Sequence, residues 1–182
     1  MEQVKSNDQI RKLTFSAVFL ALGLILPFFT GQIPQVGSML LPMHLPVFLC
    51  GMVCGGGWGG IVGFILPLLR YALFGMPPIF PKGISMAFEL AVYGLVSGFL
   101  YRHAKRYTYG AIYRSLILAM LAGRIVWGLV FSALCGITEQ AFTLKMFFMA
   151  AFVQAIPGII IQLLVVPVLV KTLNKEKNNS TG

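Results

Sequence analysis

Six polar side chains in or beside apolar stretches are the residues of this sequence that could do chemistry. They are His44, Arg70, Glu89, Arg124, Gln154 and Gln162. Polar groups in hydrocarbon are costly, so such residues indicate either a functional site or an internal structural pair. Arg124 lies near the middle of "LAMLAGRIVWGLVFSAL", too deep to reach headgroups easily. We therefore expect it to face a bundle interior or a water-filled cavity.

The depths of three of these residues suggest a shared cavity. With a helical rise of about 1.5 Å per residue, Arg124 lies about 18 Å from the outer end of its span, Gln154 about 12 Å and Glu89 about 8 Å. A long Arg side chain can bridge much of this difference, so the three residues could ring one cavity in the outer half of the last three spans. Trp127 is at i+3 from Arg124 and could supply an aromatic wall.

Each polar residue also has a structural interpretation. Glu89 and Arg124 could form an ion pair that joins two helices without a ligand, and the same pair could also hold the guanidinium ready for a guest. Gln162 lies deeper and suits an interhelical hydrogen bond. Arg70, near the outer end of its span, could reach headgroups. His44 follows Pro42 at a boundary and is more typical of a satisfied boundary residue than of a ligand.

The composition requires a membrane around these residues. The chain has 182 residues, of which 58% are hydrophobic and only 10% are charged, whereas a soluble domain carries roughly a quarter charged residues. A transmembrane helix needs about 20 apolar residues. Six stretches qualify or nearly do: Leu13–Phe29, Pro42–Cys54, Trp58–Phe74, Ile84–Tyr101, Leu116–Gly136 and Met146–Leu173.

Lys and Arg residues separate by side if the chain crosses the membrane six times. One side receives Lys5, Arg11, Lys12, Arg102, Lys105, Arg106, Arg114, Lys171, Lys175 and Lys177. The other side receives Arg70, Lys82 and Lys145. The positive-inside rule then places both termini and the connector "LYRHAKRYTYGAIYR" in the cytoplasm. The net charge of +9 is thereby assigned to loops that face anionic lipid, and not to nucleic-acid binding.

The predicted architecture is an all-α integral membrane protein with a single domain, residues 1–182. It comprises a cytoplasmic segment 1–12, a bundle of six transmembrane helices over 13–173, and a cytoplasmic tail 174–182. Two of the three outer connectors, Thr30–Leu40 and Gly75–Gly83, are rich in Gly or Pro and apolar residues, which is compatible with irregular lids over a pocket. Gly55–Gly57 predicts a tight cytoplasmic turn between the second and third spans.

The sequence does not favour an enzyme. It has no GxxxxGK[ST] motif for ATP, no HExxH and no GxSxG. Cys50, Cys54 and Cys135 lie in apolar runs without a CxxC spacing, so they are interpreted as packing residues, and no cofactor or metal is expected.

Small residues and three longer stretches carry a family resemblance. Ala17 and Ala21 form an AxxxA pattern in the first span. The stretches are "LPMHLPVFLCGMVCG", "GFILPLLR…GMPP" and "MAFELAVYGLVSGFLY". With six spans in under 200 residues, both termini inside and a long first outer loop after Thr30, the sequence resembles the substrate-binding S-components of energy-coupling factor (ECF) vitamin transporters, over essentially Leu13 to Lys171. The pattern looks closest to pantothenate-type members.

The resemblance implies a multi-pass protein of a prokaryotic plasma membrane that binds a vitamin or vitamin precursor and has no ATPase of its own. It implies docking through Ala17 and Ala21 onto a T-subunit coupled to two cytoplasmic ATPases. It also implies that a first outer loop with Gln32, Ile33 and Pro34 closes over the ligand. Pantothenate is an anion, which Arg124, with Arg70 and Lys82 at the mouth, would suit, whereas Glu89 would better suit a neutral heterocycle with ring donors. Folate, riboflavin, pyrimidine-precursor and cobalamin-precursor carriers remain alternatives.

Two other functions fit the same residues. A stand-alone secondary transporter could use Glu89 to carry a coupling proton. A structural or assembly membrane protein would need Glu89 and Arg124 only as a pair.

Overall fold

The computed structural model describes residues 2–30, 39–104, 108–137 and 155–179, and within these ranges the chain is helical with no β-strand. These described ranges contain six α-helices. They are α1 (Glu2–Ile25), α2 (His44–Cys54), α3 (Gly56–Phe74), α4 (Ile84–Arg102), α5 (Tyr109–Ile137) and α6 (Ile156–Asn179). A short 3-10 turn, Leu26–Thr30, extends α1.

Five segments are long and apolar enough to cross a bilayer. They are Asn7–Phe29, Gly56–Phe74, Ile79–Arg102, Tyr109–Gly136 and Ile156–Leu173. Helix α2 is apolar but has only 11 residues. The sequence predicted this short second segment, and its start moves from Pro42 to His44 in the structure.

Several predicted boundaries differ from those of the structure. Helix α1 begins at Glu2 and not at Leu13, because the polar start has good helix formers and no Gly or Pro. Helix α5 begins at Tyr109 and not at Leu116. The predicted last span began at Met146, but residues 138–154 lie outside the described part, and α6 begins at Ile156.

The connector Gly75–Gly83 was expected to be non-helical throughout. The structure instead forms a single wide turn, Ile79–Gly83, directly before α4, although Phe80 within it has extended backbone angles. Ser85 donates a hydrogen bond to the carbonyl oxygen of Pro81 at 2.9 Å, which ties this turn to the first turn of α4.

Helices α2 and α3 form a tight hairpin around a single glycine. Gly55, with φ of 110°, is the only residue between the two helices, so the predicted three-residue turn shortens to one position. This φ is one that side-chain-bearing residues rarely adopt. The Arg102 guanidinium donates to the carbonyl oxygen of Cys54 at 3.3 Å, and so covers the end of α2.

The backbones of α2, α3 and α4 meet at three glycines. A Cβ atom on Gly59 would lie 2.5 Å from the Cα of Gly51 and 3.0 Å from the Cα of Gly94. Real Cβ atoms do not approach so closely, so hydrogen is the only side chain that fits. Lipid tails provide no hydrophobic drive for helix association, and close backbone packing through small residues replaces it. The glycine spacing seen in the sequence therefore creates the rigid scaffold on which the polar residues of α2 and α4 are held.

Candidate functional site

Glu89 and Arg124 form a buried ion pair between α4 and α5. The Nη1 atom of Arg124 lies 3.0 Å from Oε1 of Glu89. Glu89 is 1% exposed and Arg124 is 7% exposed. Arg124 therefore faces inward, as its position in an apolar stretch predicted, and the ion pair considered as a structural alternative is present. A desolvated charge of either sign needs such a partner.

Tyr93 completes the setting of this pair. It lies one helical turn after Glu89, and its hydroxyl donates a hydrogen bond to Oε1 of Glu89 at 2.7 Å. Gly123, the residue before Arg124, makes the approach of α5 possible, because a Cβ there would overlap the Tyr93 ring. Tyr93 was not among the site residues predicted from the sequence. The signal was its i+4 spacing from a buried carboxylate.

His44, at the start of α2, lies on the other side of the same carboxylate. Its Nε2 is 3.9 Å from Oε1 of Glu89, and neither ring nitrogen has a hydrogen-bond partner among the described residues. The ring is 1% exposed and is tilted against Tyr93, with centroids 5.4 Å apart. The expectation of a satisfied boundary residue is wrong for the described part of the chain, because the His44 ring is buried beside a charge pair and makes no hydrogen bond through either ring nitrogen.

A cavity of about 140 Å³ opens beside this polar cluster, between α4, α5 and α6. Its described walls are mostly apolar, and Arg124 is the charged residue among them. The wall residues are Leu41, Tyr93, Ile117, Met120, Leu121, Arg124, Ile159, Gln162 and Leu163. Glu89 stands behind Arg124 and Tyr93, and is not part of the wall.

The spacing along α5 could have identified part of this wall. Ile117, Met120 and Leu121 precede Arg124 by seven, four and three residues, which places them on one helical face. On α6, Ile159 precedes Gln162 by three residues, whereas Leu163 follows Gln162 directly and does not have this spacing. A search outward from the buried polar residues at helical spacing would therefore have found four apolar wall residues that the search for polar groups missed.

Gln162 connects α6 to the segment that precedes α2. Its Nε2 donates to the carbonyl oxygen of Leu41 over a long 3.5 Å. The same oxygen accepts from the backbone N–H of His44 at 3.1 Å. Leu41 has a left-handed φ of 50°, which is uncommon for a side-chain-bearing residue. Gln162 makes the predicted interhelical type of bond, although its partner precedes α2, and it also lines the cavity.

Arg70 lies in a different environment, buried between α1 and α3. Its Nη1 donates to the carbonyl oxygen of Leu24 at 2.9 Å, near the end of α1. Its guanidinium carbon is 5.5 Å from the ring centroid of Phe28 and 5.5 Å from that of Phe74. Arg70 neither reaches outward to headgroups in the described structure nor lines the cavity.

The remaining candidates divide into two groups. Trp127 is buried and stacks on Phe131, with centroids 5.0 Å apart, and it is not among the wall residues of the cavity. Gln32, Ile33, Pro34 and Gln154 lie outside the described residues. Ala17 and Ala21 are exposed on α1. Among the described residues, no group of three His, Cys, Asp or Glu side chains could hold a metal ion.

Comparison with known proteins identifies the family. No curated protein and no solved structure matches the chain. The family model described as "ECF transporter, substrate-specific component" matches residues 11–170. This match covers α2 to α5 completely, most of α1 and α6, and every residue of the described cavity wall. Proteins of this family bind substrates for membrane transport and are not enzymes, which agrees with the buried cavity and the apolar helices. The chain belongs to the family of substrate-specific components of ECF transporters.

Proposed function

We propose that this protein is the S-component of an ECF-type importer that captures a vitamin or vitamin precursor outside a prokaryotic cell. The observation that carries this proposal is Arg124, a charged residue that lines an otherwise apolar cavity between α4, α5 and α6. Ligand pockets are typically apolar with a few precisely held polar groups. Arg124 is such a polar group, because an ion pair fixes its guanidinium: Nη1 lies 3.0 Å from Oε1 of Glu89.

Six spans with both termini in the cytoplasm would place the cavity toward the outer face. The charge distribution supports this topology, since ten of the fourteen Lys and Arg residues would then lie inside. Helix α2 would be a short span that brings the five long ones to six. In this arrangement the first outer connector, with Gln32, Ile33 and Pro34, would lie over the cavity, and Gln154 in the last span would complete the binding site.

Transport would be powered by partners, through a T-subunit and two cytoplasmic ATPases. Ala17 and Ala21 are exposed on α1, which supports docking of the T-subunit on this helix. In the 18-residue apolar window of Asn7–Phe29, 22% is buried within the protein, compared with 50% in that of Ile79–Arg102. Helix α1 therefore leaves a large surface that a partner helix could cover, and its two alanines would permit close approach.

Pantothenate is the candidate substrate that the sequence pattern favours. The described cavity supports a ligand with an acceptor group, because the guanidinium of Arg124 carries five N–H donors and Glu89 is its only charged partner among the described residues. Folate, riboflavin and pyrimidine or cobalamin precursors are the competing substrates.

Reconstitution separates this function from the alternatives. Vesicles that contain the chain alone should bind the vitamin without accumulating it, and accumulation should require the T-subunit, both ATPases and ATP. Accumulation by the chain alone under a proton gradient would instead favour a secondary transporter that uses Glu89. A chain that binds no vitamin and retains no small molecule through purification in mild detergent would favour a structural role.

A further inference from the structure

We propose that the cavity selects a compact, largely saturated ligand with one carboxylate or amide carbonyl, and that it discriminates against large planar heteroaromatic rings. This inference rests on the proposed function and specifies the class of substrate. Three features of the described cavity support it: the walls are mostly aliphatic, the aromatic ring among them has no free face, and the volume is small.

Flexible aliphatic side chains form most of the described wall. Leu41, Ile117, Met120, Leu121, Ile159 and Leu163 have no aromatic face. Planar heterocycles gain much of their binding energy by stacking on aromatic rings, whereas saturated ligands gain theirs by filling an apolar volume. The described wall therefore offers a saturated ligand more than it offers a planar one.

Tyr93 is the aromatic residue of the described wall, and its ring is already packed against other residues of the protein. Its ring is stacked on Phe48 with centroids 4.9 Å apart and an angle of 27°. Gly123 packs closely against its Cδ1 and Cε1 atoms, and its hydroxyl donates to Glu89. At 1% exposure, the packed Tyr93 ring has no free face for a ligand ring.

Arg124 and Gln162 provide the polar end of the cavity. Arg124 uses Nη1 for Glu89, so other N–H groups of its guanidinium can serve a ligand oxygen. Because Glu89 neutralises Arg124, the site does not demand a strongly charged anion, and an amide carbonyl can accept as well as a carboxylate. One polar end and several apolar walls match a ligand with a single acceptor head group and a saturated body.

The volume limits how much of a ligand the described walls can bury. The cavity that they line holds about 140 Å³, and an apolar cavity of about 150 Å³ holds one benzene molecule. A three-ring flavin or a pterin joined to a second ring exceeds this space, whereas a branched aliphatic segment of similar volume can adapt its shape to it.

A binding panel with the purified full-length chain in lipid nanodiscs tests this class. Pantothenate, biotin and lipoate represent saturated bodies with one carboxylate, and riboflavin, folate and thiamine represent planar aromatic rings. We expect the best saturated ligand to bind at least 100-fold more tightly than any aromatic one. Tight riboflavin or folate binding, with uptake that depends on the T-subunit and ATPases, would overturn the ligand class and leave the proposed function standing. No binding by either set, with no small molecule retained through purification, would overturn both.

Two variants test whether Arg124 contacts the head group of the ligand. Arg124→Gln alone leaves Glu89 without its counterion, so the test uses the double variant Glu89→Gln, Arg124→Gln. The wild-type chain should bind the carboxylic acid of highest affinity at least tenfold more tightly than the corresponding alcohol. The double variant should lose this preference and still bind the alcohol. Arg114→Gln, on an exposed position of α5, is the control and should keep the preference. An unchanged preference in the folded double variant would show that Arg124 does not contact the head group.

Discussion

The Nη1 atom of Arg124 lies 3.0 Å from Oε1 of Glu89 across the interface of α4 and α5. The pair joins a charge on the cavity wall to a charge behind the wall. Tyr93 adds a hydrogen bond to the same carboxylate oxygen, so the position of the guanidinium depends on three residues of two helices. The ion pair with Glu89 compensates the cost of burying the Arg124 charge in the middle of a span. It also holds the guanidinium at the cavity wall, where it can contact a ligand.

Removing either member of this pair should destabilise the protein. Glu89→Ala leaves the Arg124 guanidinium buried without its counterion, and breaking a buried pair in this way costs about 3–5 kcal/mol. Tyr93→Phe should cost less, about 1 kcal/mol, because it removes one hydrogen bond. Unfolding in mixed SDS and mild-detergent micelles measures both changes. The double variant Glu89→Leu, Arg124→Met should recover most of the loss, since no charge remains unpaired. Equal stability of Glu89→Ala and the wild type would show that the pair contributes no net stability.

The glycine contact between α3 and α4 gives a second prediction. A Cβ on Gly94 would overlap the carbonyl group of Gly59, and backbone atoms cannot move aside as a flexible side chain can. Gly94→Ala should therefore lower the free energy of unfolding by about 1–3 kcal/mol, the usual cost of overpacking. Gly57→Ala is the matched control, because a Cβ there meets nothing within 4 Å. It should be neutral or slightly stabilising, and destabilisation of both variants alike would contradict the close-contact explanation.

The sequence predicted the charged part of the site better than its apolar part. Arg124 and Glu89 were recognisable because a charge inside an apolar stretch has few alternatives to a partner or a cavity. Leu163, which directly follows Gln162 and does not share its helical face, is indistinguishable from a lipid-facing residue until the helices are packed. The backbone N–H of His44 donates to the carbonyl oxygen of Leu41, whose left-handed φ is uncommon for a leucine and was not predicted from the sequence. Helix boundaries were least accurate where polar residues extend a helix beyond the apolar span, as at the start of α1.

Arg70 should prove structural and not ligand-binding. Its hydrogen bond to the carbonyl oxygen of Leu24 and its contacts with Phe28 and Phe74 fasten α1 to α3. Arg70→Met keeps much of the apolar stem and removes these interactions, so it should lower the free energy of unfolding by about 1.5–3 kcal/mol. Ligand affinity of the folded variant, measured by equilibrium dialysis, should remain within about twofold, a change worth less than 0.5 kcal/mol. A large loss of affinity with unchanged stability would return Arg70 to the binding site.

The exposed alanines of α1 provide the most direct prediction about transport. Ala17→Trp and Ala21→Trp place a large ring where a partner helix would have to approach closely, so each should abolish ATP-driven uptake. Neither alanine is buried within the chain, so ligand binding and the unfolding free energy should stay close to those of the wild type. Ala72→Trp, at an exposed position of α3, controls for a bulky ring facing lipid and should leave uptake intact. Co-purification with the T-subunit measures the docking step itself, and retained complex formation by both α1 variants would show that the partner binds a different surface.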